Sequence, residues 1–158
     1  MPMLTPARSR AARKTPGHFA IVASSYNAQY VDAMLRAAKK TLRAARVDEV
    51  RIVRVPGAYE IPVVAARLAR AHEPRLSGII CLGVILRGAT THAQHIGEAV
   101  SQALSLIQVN HEVPVIHEVL LLENHQQARE RCLDAKHNRG LEAAQTALTM
   151  AGVMRSIP

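Results

Sequence analysis

Residues 82–92, LGVILRGATTH, join an apolar run to a glycine, hydroxyl side chains and a histidine. Gly88 permits close backbone approach, and Thr90 offers a hydroxyl just before a predicted helix, whose first N–H groups lack partners. This turn therefore predicts a site for a small anion such as phosphate. A nucleotide triphosphatase is not predicted, because Ala89 stands where the P-loop motif requires a lysine.

Two histidines, His92 and His95, lie three residues apart at the predicted start of that helix. They could bind a metal only with a third ligand from elsewhere, and no thiolate or carboxylate lies nearby in sequence. We therefore predict no metal site. For a single histidine, two interpretations stay open at this point: proton transfer near neutral pH, or a surface residue at a helix end.

Alternating strand and helix patterns must position these residues. Apolar runs predict strands at 18–24, 50–56, 78–86 and 113–121, and helical periodicity predicts helices at 28–46, 60–73, 93–110, 124–134 and 139–155. Strands separated by helices predict a four-stranded parallel sheet with both faces covered, a three-layer αβα sandwich. Ligands of such sheets bind beyond the carboxyl ends of the strands. The loops SSYN, PGAYE, RGATTH and LLENH should therefore gather at one edge.

Length and composition predict one soluble domain. The chain has 158 residues, of which 49% are hydrophobic, enough for a single core. It has neither the long apolar run of a membrane span nor the apolar segment of a secretory signal, so we expect a cytoplasmic protein with no membrane partner. The two cysteines, Cys81 and Cys132, are expected to be reduced thiols.

The net charge of +8 raises the question of nucleic-acid binding. The opening segment contains Arg8, Arg10, Arg13 and Lys14 but no acidic residue. We predict that residues 1–16 form a basic flexible arm and residues 17–158 the folded domain. A solvated arm is the favoured interpretation, whereas nucleic-acid binding and a remnant targeting segment are the alternatives.

Four blocks resemble the lumazine synthases in order and spacing: VPGAYEIP at 55–62, LGVILRGATTH at 82–92, VPVI at 113–116 and NRGLEAA at 138–144. The resemblance runs from about residue 18 to residue 155 and implies a flavodoxin-like fold. It also implies a transferase of riboflavin biosynthesis that condenses 5-amino-6-(D-ribitylamino)pyrimidine-2,4-dione with 3,4-dihydroxy-2-butanone 4-phosphate. The product would be 6,7-dimethyl-8-ribityllumazine, formed with release of phosphate and water and with no metal or organic cofactor.

The resemblance also implies which residues form the site. His92 matches the residue that transfers protons. The pyrimidine and its ribityl chain would be bound by Tyr26, Ala58, Tyr59, Glu60, Ile85, Leu86, His117 and Arg139. The phosphate would be bound by Gly88, Ala89, Thr90 and Arg131.

Several of these positions have simpler interpretations or differ from the family. Tyr26 could be a core residue at a strand end, Glu60 a charge favouring a helix start, and Arg131 a surface arginine. Arg139 replaces the usual lysine. His117 replaces a phenylalanine that the family contributes from a neighbouring subunit, so binding could vary with pH.

The resemblance implies a homopentamer with sites between subunits, in which His117, Arg131 and Arg139 come from the neighbour. The sequence does not indicate whether pentamers assemble further into a decamer or a 60-mer shell. One alternative is a paralogue that binds flavin or lumazine, or forms a shell, without catalysis. The other is a nucleic-acid-associated assembly that uses the basic arm.

Overall fold

The computed structural model describes residues 14–158, which form four strands and five helices; one helix follows each of the first three strands, and two follow the last. The strands are β1 (His18–Ser24), β2 (Glu49–Val55), β3 (Gly78–Leu86) and β4 (Val115–Leu122). The helices are α1 (Ala28–Ala44), α2 (Ile61–Ala71), α3 (His92–His111), α4 (His125–Cys132) and α5 (Arg139–Ser156). A short 3₁₀ turn, Ala58–Glu60, precedes α2.

The strands form one parallel sheet in the order β2-β1-β3-β4, so the predicted four-stranded parallel sheet is confirmed. β3 lies between β1 and β4, and its first seven residues are buried. Only Ile85 and Leu86, at its carboxyl end, are partly exposed. β4 lies at the edge of the sheet beside β3 alone.

The core divides into two apolar clusters, one on each face of the sheet. α1, α4 and α5 contribute to one cluster, and α2 and α3 contribute to the other. This arrangement confirms the predicted three layers, because each helix buries one apolar face against the sheet. Within residues 14–158, no helix is long and apolar enough to cross a membrane.

Some predicted boundaries are wrong by a residue or two. The predicted helix 28–46 ends at Ala44, because Arg46 adopts a left-handed conformation with a φ of 56°. The predicted strand 113–121 begins at Val115, just after Pro114. The predicted helix 60–73 begins with the 3₁₀ turn and ends at Ala71.

The predicted arm lies mostly outside the described residues, which begin at Lys14. The Lys14 ammonium is 2.8 Å from Asp48 Oδ1, and the Thr15 N–H donates to the Ala45 carbonyl at 2.9 Å. The Gly17 N–H donates to Asp48 Oδ2 at 2.8 Å. The last residues of the predicted arm therefore contact the folded domain.

Candidate active site

A cavity of about 860 Å³ opens at the carboxyl ends of the strands. Its lining includes seven residues that were predicted for the site: Tyr26, Ala58, Tyr59, Glu60, Ile85, Leu86 and His92. It also includes six that were not predicted as site residues: Asn27, Gly57, Val84, His95, Ile96 and Ala99. The loops after β1 and β2 and the end of β3 thus meet at one site, as sequence reasoning predicted.

Two exposed tyrosines line this cavity. Tyr26 and Tyr59 are each 66% exposed. The alternative interpretation of Tyr26 as a core residue is therefore wrong. Its backbone N–H donates to the Pro56 carbonyl at 3.0 Å, which ties the loop after β1 to the loop after β2. An exposed aromatic face in a cavity can stack on a planar heterocycle.

Asn27 fixes the loop that carries Tyr26. It begins α1 in the left-handed conformation, with a φ of 56°, which asparagine tolerates better than most residues. Its side-chain amide donates to the Val84 carbonyl at 2.7 Å. This bond holds the loop after β1 against the end of β3. Sequence reasoning missed Asn27, although its place directly after Tyr26 was a usable signal.

Glu60 stabilises the turn in which it lies. Its Oε2 accepts a hydrogen bond from the Gly57 N–H at 3.1 Å. This bond supports the interpretation of Glu60 as a residue that stabilises a helix start. Since the side chain is exposed and also lines the cavity, the same carboxylate can accept hydrogen bonds from a ligand's hydroxyl groups.

One face of α3 forms a wall of the cavity. His92, His95, Ile96 and Ala99 line it at the spacing i, i+3, i+4 and i+7. His95, Ile96 and Ala99 were not predicted for the site, although helical periodicity places them on the same face as His92. Sequence reasoning weighed His95 only as a metal ligand. Across residues 14–158, no three His, Cys, Asp or Glu side chains come together as a metal-binding group.

The predicted phosphate turn lies beside the cavity lining, between Leu86 and His92. Gly88, Ala89 and Thr90 are all exposed. Thr90 Oγ1 accepts a long hydrogen bond from the His92 N–H at 3.4 Å. A Cβ built at Gly88 would meet nothing within 4 Å, so the turn is open to a ligand. The start of α3 adds N–H groups that favour an anion.

The loop after β4 reaches this turn but does not line the cavity. The Arg87 guanidinium is 3.0 Å from Glu123 Oε1, and the Arg87 N–H donates to the Leu122 carbonyl at 2.8 Å. A second guanidinium nitrogen donates to Gln94 Oε1 at 3.1 Å. The prediction that all four loops gather at one edge is therefore confirmed, although the loop after β4 does not line the cavity itself.

Arg131 and Arg139 line a separate depression of about 500 Å³. The other lining residues are Glu130, Asp134, His137 and Glu142. Arg139 Nη1 donates to Glu142 Oε2 at 2.7 Å, and this hydrogen bond raises the pKa of Arg139. Within one chain, neither arginine lines the cavity that holds Tyr26.

His117 also lies outside the cavity lining. It is on β4, where its Nε2 is 2.7 Å from Ser101 Oγ of α3. Its Nδ1 accepts a hydrogen bond from the Val119 N–H at 3.1 Å. The side chain is partly exposed, and packing of the ring against α3 removes enough solvent to lower the pKa of His117 from its usual 6.5.

Neither cysteine offers a nucleophile. Cys81 and Cys132 are both buried free thiols. Burial raises the pKa of Cys81 to about 12 and that of Cys132 to about 11. Both therefore stay protonated near neutral pH, and a thiol is a much weaker nucleophile than a thiolate.

Comparisons with known proteins show which family the chain belongs to. The sequence model of the 6,7-dimethyl-8-ribityllumazine synthase family matches residues 16–155. A 6,7-dimethyl-8-ribityllumazine synthase of Stenotrophomonas maltophilia strain R551-3 is 38% identical over 149 residues, covering 92% of this chain and 95% of the relative. The Xanthomonas euvesicatoria protein of that name is 34% identical over 148 residues, with the same two coverages. The Kineococcus radiotolerans protein is 38% identical over 140 residues, covering 87% of this chain and 85% of the relative. The chain belongs to the 6,7-dimethyl-8-ribityllumazine synthase family.

Proposed function

We propose that this protein makes 6,7-dimethyl-8-ribityllumazine from the ribitylaminopyrimidinedione and the butanone phosphate named above. It is a transferase of riboflavin biosynthesis, in keeping with the name its relatives carry. The observation that carries the proposal is that one cavity is lined by the exposed Tyr26, by the turn that contains Glu60 and by His92. No step of the condensation requires a metal, an organic cofactor or a covalent protein nucleophile.

The reaction needs two substrates held together and several proton transfers. The 5-amino group attacks the ketone and water leaves, phosphate is eliminated to give an enol that becomes a new carbonyl, and the second amine attacks this carbonyl and closes the ring with loss of a second water. Most of the acceleration would come from positioning the two substrates. His92, which lines the cavity and is exposed, would accept and return the protons.

The cavity residues would bind the pyrimidine. Tyr26 would stack on the ring, and Ile85 and Leu86 would pack beside it. The turn from Ala58 to Glu60 would bind the ribityl chain through backbone groups, the Tyr59 side chain and the Glu60 carboxylate. Support for these roles comes from the position of all six residues around one opening.

The phosphate would be bound at the turn formed by Gly88, Ala89 and Thr90. The Thr90 hydroxyl and the first N–H groups of α3 are the local donors. Arg131 would complete the site, because a guanidinium can bind phosphate through two parallel hydrogen bonds. Among residues 14–158, Arg131 has no carboxylate partner within salt-bridge distance that would compete for it.

We further propose that each site is shared by adjacent subunits of a pentamer. Arg131, Arg139 and His117 would come from the neighbouring chain. In support, the two arginines line a depression apart from the Tyr26 cavity, and His117 faces α3 instead of the cavity. A head-to-tail contact between two different surfaces closes into a ring when the rotation between neighbours is a whole fraction of a turn, and each chain would then give one half of each of two sites. We also propose a cytoplasmic location.

A synthase assay with complementation tests both proposals. The wild-type protein should form the lumazine from the two substrates. Tyr26→Ala and Arg131→Ala proteins should each lose activity, but co-refolded mixtures should regain some, because some interfaces then carry neither lesion. A mixture of Tyr26→Ala with His92→Ala is the control and should not recover, since both residues line one chain's cavity. No product from the wild type would refute the activity; no recovery in assembled mixtures would refute the shared site.

A further inference from the structure

His117 lies where β4 and α3 pack together, and both of its ring nitrogens have partners within the chain. The Val119 N–H donates to Nδ1 at 3.1 Å, and Nε2 is 2.7 Å from Ser101 Oγ. His117 pairs with Cys81 in the register of β3 and β4, so its backbone is fixed by the sheet. The residue itself remains exposed in the single chain.

These two contacts determine the tautomer of the ring. A backbone N–H can only donate, so Nδ1 must carry its lone pair to accept from Val119. In the neutral imidazole the ring proton is then on Nε2, where it donates to Ser101 Oγ. Protonation would place a second N–H on Nδ1, directly facing the Val119 N–H. The geometry therefore disfavours the charged ring.

No acidic side chain in residues 14–158 forms an ion pair with His117 that would favour the charged form. Glu98, one turn before Ser101 on α3, instead accepts from the Gln94 amide at 3.0 Å. Glu118 is adjacent on β4, but residues of a strand alternate between faces, and its pKa responds to Arg139 and Glu142. The ring is thus held by neutral partners alone.

We propose that Ser101 is a positioning residue that, with the Val119 N–H, holds His117 as the neutral Nε2–H tautomer, so that the ring offers only its apolar faces and carbon edge to the substrate. This inference rests on the proposed placement of His117 against the neighbouring subunit's pyrimidine. A ring with both nitrogens occupied behaves as a flat apolar surface. That property explains how a histidine can stand where a phenylalanine is usual.

Nitrogen NMR of the unliganded, fully assembled protein tests the tautomer directly. With ¹⁵N-labelled histidine, and with His117→Phe to assign the signals, Nδ1 should appear unprotonated and Nε2 protonated at neutral pH. Ser101→Ala should mix the two tautomers, and Ser101→Thr should restore the wild-type pattern because it keeps a hydroxyl. Ser105→Ala, an exposed serine one turn further along α3, is the matched control and should change nothing. An Nδ1–H or doubly protonated ring in the wild type, or no response to Ser101→Ala, would overturn the inference.

Pyrimidine binding separates failure of this inference from failure of the proposed function. Ser101→Ala should weaken pyrimidine binding about three- to tenfold with little change in kcat, in the range of one lost hydrogen bond. In a His117→Phe background the same change should have no effect, because the partner is gone. If the NMR pattern is as expected but neither Ser101→Ala nor His117→Ala alters pyrimidine binding, His117 does not face the substrate, and the role given to Ser101 falls with that placement.

Discussion

The ring of Tyr26 lies directly against Gly57. A Cβ built at Gly57 would be 2.9 Å from Tyr26 Cδ2 and 3.1 Å from Glu60 Oε2. Gly57 has extended backbone angles, so the restriction at this position comes from close approach and not from backbone strain. The glycine thus lets an exposed aromatic and a carboxylate meet at one wall of the cavity.

Gly57→Ala should displace the Tyr26 ring and weaken pyrimidine binding by about tenfold, because the added methyl group occupies the space under the ring. Binding of the butanone phosphate should be nearly unchanged. Titration calorimetry with each substrate measures both effects. In a Tyr26→Ala background the Gly57→Ala change should add little. An equal loss of pyrimidine affinity in the wild-type and Tyr26→Ala backgrounds would show that Gly57 acts through something other than Tyr26.

Arg131→Ala should weaken binding of the butanone phosphate by roughly 1.5–3 kcal/mol, the range for a hydrogen bond to a charged group. The pyrimidine's affinity should not change. Arg129→Ala is the matched control, because Arg129 lies on the same helix, is exposed and is not among the residues that line the depression. If both substrates lose affinity equally, Arg131 does not bind the phosphate.

His92→Ala should lower kcat about a hundredfold while changing either substrate's binding much less, because a proton relay acts in the transition state. The kcat of His95→Ala is the value to compare with that of His92→Ala, since His95 lines the same cavity one helical turn later. Steady-state kinetics over about pH 6 to 9 measures the difference. Wild-type turnover in His92→Ala throughout that range would return His92 to the role of a surface residue.

His117 should make the protein less stable in acid. Its pKa is lowered on folding from 6.5, so below that pH the unfolded chain binds a proton that the folded chain resists. The resulting loss of stability begins as pH falls through 6.5 and is complete below the lowered pKa. His117→Phe should remove this part of the pH dependence. Urea unfolding from about pH 5 to 8 should show a stability difference between the two proteins that is constant above about pH 7 and shifts in the mutant's favour below it. A difference independent of pH would contradict the lowered pKa.

Gly140→Ala should destabilise the domain by about 1–3 kcal/mol, the usual cost of overpacking. A Cβ at Gly140 would overlap the backbone carbonyl of Met34, so α5 would have to move away from α1. Gly152→Ala is the control on the same helix, because its Cβ would meet only the end of Arg155 at 3.8 Å. Thermal unfolding measures the stability of both variants. Equal melting temperatures for the two variants would contradict this account of Gly140.

The sequence alone determined the order of strands and helices, the parallel sheet and the edge of the sheet at which the site lies. The run at 78–86 predicted β3 with its observed bounds, because an apolar strand buried on both faces has a distinct pattern. Sequence reasoning also identified Tyr26, Glu60 and His92, which all line the cavity. Spacing and residue type carry this information because they depend on local geometry, namely the period of a helix or a strand and the chemistry of a turn.

Only the tertiary structure decided which elements cover one another. The cavity forms on the β1 and β2 side of β3, so the loop after β4 stays outside it, and the pattern of β4 itself does not reveal its neighbour. The contact of Gly140 with Met34 and the two partners of His117 likewise join residues from different elements. An apolar face shows that something must cover it but not what does. That choice depends on how side chains from distant parts of the chain fit together, and this fit is not a periodic property of the sequence.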